Sequence, residues 1–91
     1  LDYSSVALII SERYADVYRA IDKQLDRGVT FLEGRGGYTG QPKTVLMTAV
    51  KSRQISELKQ LVQCIDPSAF MIVQPAHQVL GEGFKRYSDD I

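Results

Sequence analysis

The side chains best suited to chemistry in this sequence are cations set among glycines. Arg35 stands inside G-R-G-G-Y-T-G at 34–40, flanked by Gly34 and by Gly36, Gly37 and Tyr38, with Lys43 a little further on. A guanidinium presents a rigid fork of N–H donors, and glycine lets the backbone approach a partner closely. The combination recurs at 79–86, V-L-G-E-G-F-K-R, where Gly81 and Gly83 precede Lys85 and Arg86. Backbone donors and cations together are what an anionic ligand requires. The plainer reading is that both stretches are tight turns with solvated charges.

Residues able to run a reaction are few. His77 is the single histidine, expected in a turn, with no Cys or His near it at metal-ligand spacing. Cys64 is the single cysteine and reads as a small core or boundary residue late in a helix. Asp66 precedes Pro67 and reads as a carboxylate ending a helix, while Asp89 and Asp90 belong to a polar tail over 85–91. No nucleophile is paired with a base, and G-x-S-x-G, Walker A and zinc motifs are absent. The glycines at 34–37 are not a dinucleotide fingerprint, because a proline and a strand follow where a helix would have to start. The expectation is a protein without catalytic residues, cofactor or metal.

Composition bounds the rest. Ninety-one residues, 44% hydrophobic and 24% charged, describe one globular domain. Eleven basic residues balance eleven acidic ones, which argues against a nucleic-acid partner. A lone cysteine permits no internal disulfide and fits a reducing compartment. No apolar run approaches the ~20 residues of a spanning helix, and the start at Leu1 is read as a fragment of a longer protein.

The elements that position these residues follow from periodicity. Residues 6–10, V-A-L-I-I, form an unbroken apolar run of strand length. Ser11 is expected to cap a helix carrying Tyr14, Val17, Tyr18, Ile21 and Leu25 on one stripe, with Gly28 as its terminating glycine. Strands are expected over 29–33 and 44–50, joined by the glycine-rich segment as a hairpin with a long tip that Pro42 ends. Ser52 is expected to cap a second helix with Ile55, Leu58, Leu61, Val62 and Ile65 on its stripe, closed before Pro67. A fourth strand spans 69–74, stopped by Pro75, and 79–84 is read as turn-rich, with room for an extra edge strand. The order βαββαβ predicts an α+β, ferredoxin-like domain: a four-stranded antiparallel sheet with both helices on one face.

Two helices cover one face of such a sheet. In strands 6–10, 44–50 and 69–74, however, residues of both parities are apolar, where a half-solvated sheet should alternate. An apolar face is therefore expected to remain uncovered, and a homo-oligomer, dimer or trimer, is expected to bury it. The other outcome is that the C-terminal segment folds back over that face.

R-G-V-T at 27–30, G-x-G-G-Y-T-G at 34–40, I-D-P-x-A-F at 65–70 and V-L-G-E-G-F at 79–84 occur in this order. Together they resemble the C-terminal domain of the YitT family of bacterial membrane proteins, over residues 4–84. The resemblance implies a cytoplasmic domain following membrane helices, with the membrane domain of its own chain as a partner. It transfers no catalytic residues. A looser likeness at the level of fold, to PII-type signalling proteins, implies a sensor for a nucleotide or other anion bound between subunits, beneath the loop joining the second and third strands.

Overall fold

The computed structural model describes residues 4–77. Strand β1 (Ser4–Ile10) leads into helix α1 (Tyr14–Ala20), which continues as a π-helical turn, Ile21–Leu25. Strands β2 (Val29–Arg35) and β3 (Pro42–Lys51) follow, then a 3-10 turn (Ser52–Gln54), helix α2 (Ile55–Ile65) and strand β4 (Phe70–Ala76). The four strands form one sheet in the order β2-β3-β1-β4, with every neighbouring pair antiparallel. This is the ferredoxin-like arrangement, and β1 and β3, apolar at both parities, are its central strands.

Register settles which parity meets the helices. Ala7 stands opposite Thr48 and Val73, and Ile9 opposite Leu46 and Met71. Ala7, Ile9, Leu46 and Val50 are fully buried beneath Val17 and Ile21 of the first helix and Leu58 and Val62 of the second. The expected stripe of α2 is therefore the observed one, with Ile55 and Ile65 half-buried at its ends. At the rim of this core, Tyr14 and Tyr18 meet Phe31 edge-on, at ring separations of 5.8 and 5.4 Å. Polar groups inside are matched: buried Thr48 donates its hydroxyl to the Gly28 carbonyl at 2.8 Å.

The helix ends differ from expectation in informative ways. The first helical stretch closes at Asp26, which takes the left-handed conformation (φ 54°, ψ 43°), and not at Gly28, whose φ is not positive. Aspartate tolerates that region better than most side chains. Ser52 does not cap the second helical stretch; Gln54 does, accepting from the Lys51 N–H at 2.9 Å and donating to the Leu25 carbonyl at 3.1 Å. One amide thus ties the start of the second half of the chain to the end of the first helix. The strands are also longer than their apolar cores. Pro42 begins β3 where it was expected to close the loop, and Pro75 lies within β4, an edge strand that spares a proline N–H.

Candidate functional site

Three regions of the described residues bear on function: an arm, a seam and a face. The arm follows from register. Strand β1 ends at Ile10, opposite Val45, but β2 and β3 run on through Glu33 opposite Thr44, Gly34 opposite Lys43 and Arg35 opposite Pro42. A two-stranded ribbon therefore projects beyond the sheet and turns at residues 36–41. Its turn is closed by Gly36 N–H donating to the Gln41 carbonyl and Gly40 N–H to the Gly36 carbonyl, both at 2.8 Å. Glycine is required at two places here. A Cβ on Gly36 would lie 2.7 Å from Thr39 Oγ1, and Gly40 sits at φ 71°. The expected long tip is thus a short, hydrogen-bonded hairpin turn.

Arg35, Gly36, Gly37, Tyr38 and Lys43 come together on this arm. Tyr38 is fully exposed, and neither Arg35 nor Lys43 takes part in an ion pair among the described residues. Gly81, Gly83, Lys85 and Arg86, with the rest of the 79–84 segment, lie outside the described residues. At the base of the arm, a shallow cleft of about 210 Å³ runs between Lys43 and Thr44 on one side and Ser11, Glu12 and Tyr14 on the other.

The seam lies at the end of β1, where both helices meet it. Ser11 Oγ donates to Asp66 Oδ2 at 2.6 Å and accepts from the Arg13 N–H at 2.9 Å. Asp66 Oδ1 accepts from the Ser68 N–H at 2.9 Å, and Arg13 Nη1 donates to the Ile65 carbonyl at 2.9 Å. Arg13 and Arg19 both pair with Asp16, at 2.8 and 3.1 Å. The Ser11 hydroxyl above all, then the Ser68 N–H and the Arg13 charge, hold the Asp66 carboxyl below its ordinary pKa. Asp66 does end α2, as its place before Pro67 predicted. Its link to Ser11, 55 residues away, leaves no trace in local sequence. Ser11 therefore acts as a clasp between the two halves more than as a helix cap.

Cys64 is exposed, against the expectation of a core or boundary position. It falls on the flank of α2 shared with exposed Gln60, one step round from the Leu58–Leu61–Val62 stripe. There it borders an open groove of about 400 Å³ with Gln24, Glu57 and Gln60. His77 is exposed in a bend just after β4. No group of three or more His, Cys, Asp or Glu is disposed to hold a metal ion among the described residues. No helix there is long and apolar enough to cross a membrane.

The face is the side of the sheet away from the helices. Leu32, Val45, Ile10 and Phe70 stand in one row across the strands, and Thr30, Met47, Leu8 and Ile72 in the next. Ala49 and Val6 follow before the surface turns polar at Gln74, Ser4 and Lys51. Phe70 is 58% exposed, Ile72 41%, Leu32 40% and Met47 38%, so this side carries a contiguous apolar patch without a lid among the described residues. Among the described residues, the uncovered face predicted from the double-parity strands is present; the other outcome, a C-terminal segment folded back over it, lies outside them.

Residues 27–81 match a family described as "Uncharacterized protein conserved in bacteria (DUF2179)". The chain is 52% identical over 86 residues to an uncharacterized protein in the cccA 5' region of Bacillus sp. (strain PS3), covering 94% of this chain and 57% of that protein. It is 47% identical over 83 residues to the UPF0750 membrane protein YvjA of Bacillus subtilis (strain 168), covering 91% of this chain but only 30% of YvjA. YitT of the same organism carries the same UPF0750 designation, as the sequence motifs led one to expect. A crystal structure of a DUF2179 protein from Eubacterium ventriosum superposes with a TM-score of 0.69 at 28% identity, over 78% of this chain and 97% of that one.

Proposed function

The chain belongs to the DUF2179 family of bacterial proteins, and from that premise we propose that it is a regulatory or assembly domain, free of catalysis, which joins further copies through the open face of its sheet. The observation that carries this reading is the apolar patch centred on Leu8, Met47, Phe70 and Ile72. Full burial of a side chain of this size is worth about 1.5–3 kcal/mol. These are already part-covered by their neighbours, so each gains roughly half of that, and together they favour association over a wet face. A dimer or a trimer would close on itself.

Its relatives support a setting for it. The named UPF0750 relatives are membrane proteins of which this chain spans roughly a third or less. The reading therefore makes the membrane portion of a longer chain its second partner. An exposed thiol without a disulfide partner supports the cytoplasmic side, and a zero net charge argues against nucleic acid.

Light scattering tests the assembly. The wild-type domain is expected to show the mass of more than one copy, and that mass is expected to fall in Leu8→Lys and Ile72→Lys with the fold kept. A single-copy mass for the wild type at every concentration would end this reading.

A second reading rests on the arm, where Arg35 and Lys43 flank a glycine-rich turn without ion-pair partners among the described residues. In it the domain senses a small anion such as a nucleotide. Titration with nucleotides is then expected to move the amide resonances of residues 35–43, and unmoved resonances would exclude it.

A further inference from the structure

Strand β2 lies at one edge of the sheet, and its backbone parity can be assigned. Gly36 N–H donates to the Gln41 carbonyl, and Arg27 Nε donates to the Ala49 carbonyl at 3.1 Å, just outside the two ends of the β2–β3 ladder. In an antiparallel pair, a residue's N–H and C=O point the same way and alternate along the strand. Thr30, Leu32 and Gly34 therefore bond to β3, while Val29, Phe31, Glu33 and Arg35 turn their N–H and C=O groups outward. No strand lies beyond β2 among the described residues.

An edge of this kind invites pairing unless something blunts it. Strand β2 contains no proline and no lysine, and its register with β3 runs without a bulge. Its apolar side chains are open on both faces, Phe31 at 43% and Leu32 at 40% exposure. The other edge strand, β4, carries Pro75.

We propose that β2 pairs antiparallel with β2 of a second copy, about a two-fold axis at Leu32. This register is the one that engages all of V-T-F-L-E-G-R at once. It sets the outward-facing Phe31 against the partner's Glu33, and Val29 against the partner's Arg35, as hydrogen-bonded pairs. A shift of the axis to Glu33 would oppose two carboxylates, and a shift to Phe31 would leave Gly34 and Arg35 unpaired. On the open face the two Leu32 side chains meet, and Thr30 faces the bare backbone of the partner's Gly34. The apolar row Leu32–Val45–Ile10–Phe70 then continues into its copy across the axis. This contact goes beyond the face-to-face association and does not require it; with a dimeric face contact, the two together would close four copies in a two-layered assembly.

The test separates the edge from the face. In the wild type, at a concentration where scattering reports more than one chain, amides of Val29, Phe31, Glu33 and Arg35 are expected to exchange at least about tenfold more slowly than in dilute protein. Glu33→Pro removes an outward N–H and spares the β3 ladder, so the fold should survive while the edge contact is lost. In an Ile72→Lys background, which disables the face, the mass should fall from two copies to one when Glu33→Pro is added. Fast exchange of those amides in assembled protein overturns the edge contact while leaving the face reading intact. Protected edge amides in a protein whose mass ignores Ile72→Lys support the edge and remove the face. A wild type that never exceeds one chain overturns both.

Discussion

Leu8 and Ile9 are neighbours on one strand, and they live in different surroundings. Ile9 lies under two helices with no exposed surface, among Leu46, Val17 and Leu58. Leu8 points the other way, between Met47 and Ile72, into a patch that nothing in its own chain covers among the described residues. Both are large and aliphatic, so hydrophobicity alone does not say which face folds the domain and which is left for a partner. The helices decide, by lying on one side only. The comparison teaches that the covered face holds this chain's own stability, while the open face holds stability available only to an assembly.

The largest effect should come from cutting into the covered face. Ile9→Ala is expected to cost about 2–5 kcal/mol, read as a drop in the urea midpoint, against a total near 5–14 kcal/mol for a domain of this size. Leu8→Ala should cost under about 1 kcal/mol in dilute protein and more at concentrations where copies associate. Equal losses for the two at all concentrations would break the comparison.

Overpacking comes next. Ala7 is fully buried against Thr48 and Val73, and Ala7→Leu should cost about 1–3 kcal/mol by forcing that layer apart. Thr48→Val follows. It keeps the shape and removes the hydroxyl that bonds the Gly28 carbonyl, for a loss of about 1 kcal/mol. Thermal unfolding of the two variants should rank them in that order.

The seam adds a dependence on acid. Asp66 has a lowered pKa in the folded chain. The stability it contributes is therefore complete above the unfolded carboxylate value and is lost as pH falls through the folded one. Asp66→Asn should flatten the acid limb of a plot of urea midpoint against pH, and Ser11→Ala should shift that limb to higher pH. An unchanged acid limb in both would mean that the 2.6 Å contact of Ser11 with Asp66 does not persist in solution.

Element order, the central strands and both helix stripes were legible in the sequence because each rests on a local period. The choice of buried parity was not. Val6, Leu8 and Ile10 look as suitable for the core as Ala7 and Ile9, and only packed helices discriminate between them. Among the candidate binding residues, Arg35 to Tyr38 and Lys43 were placed correctly on a hairpin. That hairpin's tightness is not legible in the sequence, because strand pairing through Gly34 and Pro42 runs against the propensities of both residues. Cys64 was misplaced by a single step round a helix, where it stands three positions after buried Leu61 and next to half-buried Ile65. Contacts such as Ser11 with Asp66, or Gln54 with Leu25, join distant segments and carry no local signal.

The smallest effect is also the one that tells the faces apart by sign. Gly34 sits in a strand at a φ that is not positive, and a Cβ placed on it would meet nothing within 4 Å. A glycine in such a position loses more backbone freedom on folding than a residue with a side chain, by roughly 0.5–1 kcal/mol. Gly34→Thr should therefore stabilise dilute protein by about that much, whereas adding atoms to Ala7 on the covered face does the opposite. If β2 pairs with its copy about Leu32, the added side chain stands opposite the partner's Thr30, a cross-strand pair that itself favours pairing, so the same variant should both fold and associate more firmly. A gain in urea midpoint accompanied by a gain of mass in scattering would place Gly34 against a neighbouring copy. A gain in midpoint with no change of mass would show that the edge of β2 is free.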